Sequence, residues 1–103
     1  MTAQGRSLVN FEAVNRAALS ALPTLLRRWL PDGKAVGAEY IARNPRRPDR
    51  TPGSFKVNLR SGKWADFATG DKGGDVVSLT AYLAELGQAA AARRLAEMLG
   101  VSP

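Results

Sequence analysis

Eight basic side chains crowd the stretch from Arg43 to Lys72: Arg43, Arg46, Arg47, Arg50, Lys56, Arg60, Lys63 and Lys72. Only Asp49, Asp66 and Asp71 oppose them, so this segment holds +5 in a 103-residue chain whose total is +6. Cations at this density concentrate polyanions, and arginine forks onto pairs of phosphate oxygens. Pro45, Pro48 and Pro52 stiffen the arginine-rich part and limit the entropy it loses on binding. The chemistry is phosphate recognition; the competing reading is a solvated basic face that only confers solubility. Trp64 alternates in phase with Asp66 on what reads as the polar face of a strand. It either stacks on an unpaired base or packs beneath the N-terminal helices.

Other chemistries are poorly served. The chain has no cysteine and no histidine, which excludes Cys/His zinc sites and disulfides. Asp66, Asp71 and Asp75 could in principle gather a hard cation, yet nothing in their spacing fixes convergence. No conventional nucleophile–base pair exists, so no catalytic, metal or cofactor-binding residue is assigned. Gly70-Asp-Lys-Gly-Gly-Asp75 invites a phosphate-loop reading but lacks the Gly-x-x-x-x-Gly-Lys-Ser/Thr order. It is either a structural turn or a single phosphate contact with Lys72.

The elements that must position these groups can be read from periodicity. Phe11, Val14, Ala18 and Leu22 recur at helical spacing after Ser7 or Asn10, and Pro23 interrupts the run. Leu25, Leu26, Trp29 and Leu30 form a second helical piece, stopped by Leu30-Pro-Asp-Gly33. Val36 to Ala42 reads as a short strand and Asn44 to Pro52 as a loop. Phe55, Val57 and Leu59 alternate with polar residues as a half-buried strand, and Arg60-Ser-Gly62 turns it into a partner, Lys63 to Ala68. Alternation there puts Ala65 and Phe67 in the core and Trp64, Asp66 and Ala68 on the opposite face. Asp75 caps a helix carrying Val76, Leu79, Leu83 and Leu86, with Gly87 as its stop. Gln88 to Leu99 forms the last helix, ended by Gly100, with Met98 packed inward.

Asn44-Pro, then Thr51-Pro52-Gly53-Ser54-Phe55, Trp64-x-Asp66-Phe67-x-Thr69-Gly70 and Gly73-Gly74-Asp75 resemble the N-terminal zinc-binding domain of bacterial and phage DnaG-type DNA primases. In that family Cys-Pro-x-His precedes Thr-Pro-Ser-Phe, and Cys-x-Gly-Cys precedes a glycine-containing loop and a helix. On this chain the ligand positions fall at Asn44, Arg47, Asp66 and Thr69, all substituted, and Gly53 lengthens the Thr-Pro-Ser-Phe block by one residue. The resemblance runs from about Tyr40 to Leu99 and leaves the first 35 residues unexplained. A structural zinc ion supplies much of a small domain's folding free energy. Here apolar packing must replace it, and Asp66 could pair with Arg47 across the old metal position.

The expected fold is α+β: a small antiparallel, zinc-ribbon-like sheet of about three strands without zinc, flanked by N-terminal and C-terminal helices. One domain is expected over 1–103, with a helical part (1–34), a ribbon-like sheet and glycine-rich loop (35–75) and two helices (76–100), at the N-terminus of a larger primase or primase–helicase. The resemblance implies a non-catalytic accessory domain that binds single-stranded DNA template in a phage, plasmid or mobile-element primase. Arg43, Arg46, Arg47, Arg50, Lys56, Arg60, Lys63, Trp64 and Lys72 would carry the contact. The alternative is a module that docks on a primase catalytic or helicase domain, in cis or in trans, without touching DNA. No stretch approaches 18 apolar residues and the start lacks a signal-peptide core, so a cytoplasmic protein with no membrane partner is expected.

Overall fold

The computed structural model of the protein describes residues 9–47 and 53–103. Helix α1 (Phe11–Ser20) begins at Asn10, whose side-chain oxygen accepts the Ala13 amide at 3.0 Å. Helix α2 (Leu22–Trp29) carries Pro23 in its first turn, where a missing N–H costs nothing, so the proline starts this helix. Val14 and Ala18 of α1, and Leu22, Leu25, Leu26 and Leu30 of the α2 segment, are buried.

Among the described residues five strands follow as an antiparallel meander in chain order: β1 (Lys34–Val36), β2 (Glu39–Ala42), β3 (Phe55–Asn58), β4 (Trp64–Asp66) and β5 (Lys72–Gly73). The sheet is thus wider than the apolar alternation reveals. Gly37, at φ +61°, bends the single strand read over Val36–Ala42 into a hairpin. At the other edge the glycine-rich loop contributes the two-residue β5. Gly62 does take the positive φ (+80°) expected in the β3–β4 turn, where the Asn58 side chain accepts the Arg60 and Ser61 amides.

Helices α3 (Val76–Ala84) and α4 (Gln88–Leu99) pack on each other and on α1, and with the inner sheet face they enclose one core. Asp75 caps α3 as expected, accepting the Ser78 amide at 2.8 Å, while Asn15 of α1 accepts the Val77 amide at 2.8 Å. Gly87 is not the stop of α3. That helix ends at Ala84 with Glu85 in the left-handed region (φ 56°, ψ 49°), and Gly87 instead precedes α4 in an extended conformation. Gly100 ends α4 in the left-handed region. Met98, expected in the core, is 41% exposed.

The phase of β4 is the reverse of the sequence expectation. Trp64 and Asp66 face the helices, buried at 5% and 0% exposure, while Phe67 is 71% exposed. Register explains why. Val57 pairs with Trp64 and Phe55 with Asp66, and directly paired residues share a face, so the buried phase of β3 dictates that of β4.

Candidate nucleic-acid interface

Asn44, Arg47, Asp66 and Thr69, the positions at which the resemblance would put metal ligands, come together as a hydrogen-bonded cluster. Arg47 Nε lies 2.8 Å from Asp66 Oδ2, and its Nη2 reaches Asp66 Oδ1 at 3.3 Å and Ser54 Oγ at 2.8 Å. Asn44 Nδ2 donates to Asp66 Oδ2 at 2.8 Å and to the Tyr82 hydroxyl at 2.7 Å. Thr69 closes the far side: its amide donates to the Asp66 carbonyl, and its hydroxyl accepts the Asp71 amide at 3.2 Å. Donation from Arg47 holds the Asp66 carboxyl well below the usual carboxylate range, with help from Asn44 and the Ala68 amide, against desolvation that acts the other way. Burial pushes the Tyr82 phenol up; its hydroxyl donates to Asp71 Oδ2 at 2.8 Å. Among the described residues no group of three or more Cys, His, Asp or Glu could hold a metal ion, so the cation site sketched from Asp66, Asp71 and Asp75 does not form.

This cluster disperses the arginines expected to act together. Arg47 is turned inward onto Asp66. Arg46 lies 4.7 Å over the Tyr82 ring and 3.5 Å from Glu85, on the helical side of the molecule. Arg43 pairs with Asp32 at 3.7 Å, and its amide donates to the same carboxylate. Arg50 lies outside the described residues.

Trp64 is not an exposed stacking platform. Its ring sits 4.5 Å from that of Tyr82 and 5.9 Å from that of Phe55, and Nε1 donates to Ser78 Oγ at 3.3 Å. Gly73 packs so closely on this indole that any Cβ there would collide with it and with Ser78. The glycine-rich loop is likewise committed to structure, as β5 and as the entry to a helix whose Val77 and Ser78 amides are already capped.

A different basic surface emerges on the outer sheet face. Lys34 pairs with Ile41, Ile41 with Lys56, Lys56 with Ala65, and Ala65 with Lys72. Paired residues share a face, so three lysines form one row across all five strands. Successive lysines stand two strand spacings apart, roughly 10 Å. Phe67 projects beside the row, its ring centroid 5.6 Å from Lys56 Nζ. Lys63 keeps the phase of Ala65 and is exposed at the hairpin end, near exposed Arg60. Val36, 52% exposed, adds a further apolar group to the same face. The outer sheet face thus gathers Lys56, Lys63 and Lys72 from the expected residues and adds Lys34 and Phe67. Reading Gly37 as a hairpin turn would have placed Lys34; nothing short of the β3–β4 register would have placed Phe67.

No family model matches the sequence, and no curated protein matches it. Among solved structures the chain is similar to the crystal structure of the Aquifex aeolicus primase, comprising zinc-binding and RNA polymerase domains, with a TM-score of 0.70 and 22% identity over 93% of this chain. The chain spans 23% of the length of that structure. The likeness shows a shared fold, that of a DnaG-type primase zinc-binding domain, in a chain without cysteine or histidine.

Proposed function

We propose that this chain is a non-catalytic accessory domain of a replication primase or primase–helicase of a phage, plasmid or mobile element, and that it binds unpaired DNA template on its outer sheet face. The carrying observation is the cross-strand row Lys34–Lys56–Lys72 with exposed Phe67 beside it. Ammonium groups spaced along one line neutralise successive phosphates, and an exposed ring offers its face to any base that is not already stacked. A duplex keeps its bases stacked inside and gains only the charge. The shared fold with a primase zinc-binding domain supports the context, in which a catalytic or helicase domain acts in cis or in trans, in the cytoplasm. No helix among the described residues is long and apolar enough to cross a membrane.

A second reading is favoured by one feature. Trp29, Pro45, Leu83, Ala84 and Met98 line a mainly apolar cleft of about 330 Å³ on the helical side, which suits docking on a partner domain. Anisotropy titration of labelled single-stranded and duplex oligonucleotides separates the two. Template binding predicts preference for single strands and, with three phosphates neutralised, a log–log salt slope of about −2, or roughly 20-fold weaker binding at ~200 than at ~50 mM salt. No binding at the lower salt would leave docking as the function.

A further inference from the structure

We infer that the polar pocket between β5 and the α3–α4 connection is a subsite for one extruded, amino-bearing nucleobase of the bound strand. The inference rests on the DNA-binding reading above and specifies a second contact that reading does not require. The pocket is an open depression of about 560 Å³ lined by Arg46, Asp71, Lys72, Ser78, Tyr82 and Gln88, among others. That volume falls within the range of small-molecule sites, roughly 300–1,000 Å³.

Its chemistry fits a base better than a free polyanion. The Arg46 guanidinium lies over Tyr82, its central carbon 4.7 Å from the ring centroid, and Glu85 steadies it from 3.5 Å; a base in the subsite would stack on this guanidinium. Asp71 accepts the Tyr82 hydroxyl through Oδ2 at 2.8 Å, which leaves Oδ1 to accept from a further donor. A carboxylate within the pocket repels a polyphosphate but accepts the exocyclic amine of adenine, cytosine or guanine. Thymine has no such amine; its one edge donor, N3–H, lies between two carbonyl oxygens that a carboxylate repels. The exposed Gln88 amide, at the start of α4, supplies a donor and an acceptor for the remaining edge. Lys72 ties the two surfaces together: it ends the lysine row on edge strand β5 and also borders the pocket. A strand whose phosphate rests on Lys72 can therefore turn one base over the sheet edge into the pocket.

The test uses the full chain and labelled thymidine oligonucleotides carrying one central deoxycytidine, deoxyadenosine or abasic site, titrated by anisotropy. The protein should bind the deoxycytidine and deoxyadenosine strands about five- to tenfold more tightly than the abasic and all-thymidine strands. Asp71→Asn keeps an acceptor for Tyr82, and Gln88→Ala alters an exposed residue, so both variants should fold. Each should bring that ratio close to one while the all-thymidine strand still binds. Equal binding of all strands by the unaltered protein, or an unchanged ratio in both variants, overturns the subsite and leaves the sheet-face reading standing. Failure of every strand to bind at low salt overturns both.

Discussion

Arg47 forks onto Asp66 across 19 residues of chain, Nε to Oδ2 at 2.8 Å and Nη2 to Oδ1 at 3.3 Å, joining the two halves of the ribbon. The carboxylate is fully buried and also accepts from Asn44 and the Ala68 amide. A zinc ion would draw these loops together by coordination; here a guanidinium–carboxylate pair does so with geometry that satisfies both oxygens.

Asp66→Asn should therefore lower stability at neutral pH by roughly 2–4 kcal/mol, because the amide cannot serve as a charged acceptor for Arg47. The folded-state pKa of Asp66 lies below its ordinary value of 3.8. Its contribution is thus complete above that value and fades as pH falls below it. Urea unfolding of both proteins at pH 7 and pH 3 checks this. The gap between them should narrow at the lower pH, and equal stability at pH 7 would remove Asp66 as the clasp.

Arg47→Met should behave with the opposite sign. The variant buries a carboxylate whose main partner is gone, so desolvation raises the Asp66 pKa above its unfolded value. A raised carboxyl pKa means that the folded state takes up a proton more readily, and Asp66 then favours folding more as pH falls. The variant should lose about 3 kcal/mol at pH 7 and recover part of it near pH 4, relative to the unaltered protein.

How far the sequence revealed this structure depended on whether a signal was local. Helix starts at Asn10 and Asp75, the turn at Gly62 and the apolar stripes were legible because each depends on neighbouring residues. The Arg47–Asp66 pair was legible only through the motif spacing of the resemblance, which aligns residues distant in sequence. What failed was long-range register. Period-two alternation gives two phases for Trp64–Ala68, and an aspartate in one phase argued for solvent; only Asn44 and Arg47, brought from another loop, make its burial tolerable. The same inversion hid Phe67 on the surface and made Trp64 look like a base-stacking ring.

Glu85→Gly should stabilise the protein. Glu85 ends α3 at φ 56°, ψ 49°, where a Cβ is strained, and its ion pair with Arg46 is largely solvated, with the Glu85 side chain 70% exposed. Relief of about 1 kcal/mol, less the added freedom of glycine in the unfolded chain, leaves a net gain near 0.5 kcal/mol and a melting temperature a few degrees higher. Glu85→Ala removes the same ion pair but keeps the strain, so it should show no gain. If the two variants melt together, backbone strain at this position is not the cause.

Chelation should not unfold this domain. The chain contains neither cysteine nor histidine, and no metal-holding group exists among the described residues. Thermal melts with and without millimolar EDTA should superimpose, whereas a fold that depended on structural zinc would lose most of its stability.

Charge on the outer sheet face should be separable from aromatic stacking. Lys34→Ala and Lys56→Ala each remove one ammonium from the cross-strand row, so each should weaken single-strand binding and flatten the log–log salt slope by about 0.7. Phe67→Ala removes a ring that packs against little beyond Lys56, so folding should survive. It should cost about 1–3 kcal/mol of binding with the salt slope unchanged, because stacking releases no counterions. Arg43→Ala serves as the contrast, since its head group is already engaged by Asp32 and lies off the row. If Arg43→Ala weakened binding while the Lys34 and Phe67 variants bound normally, the interface would lie on the arginine-bearing loop and not on the sheet.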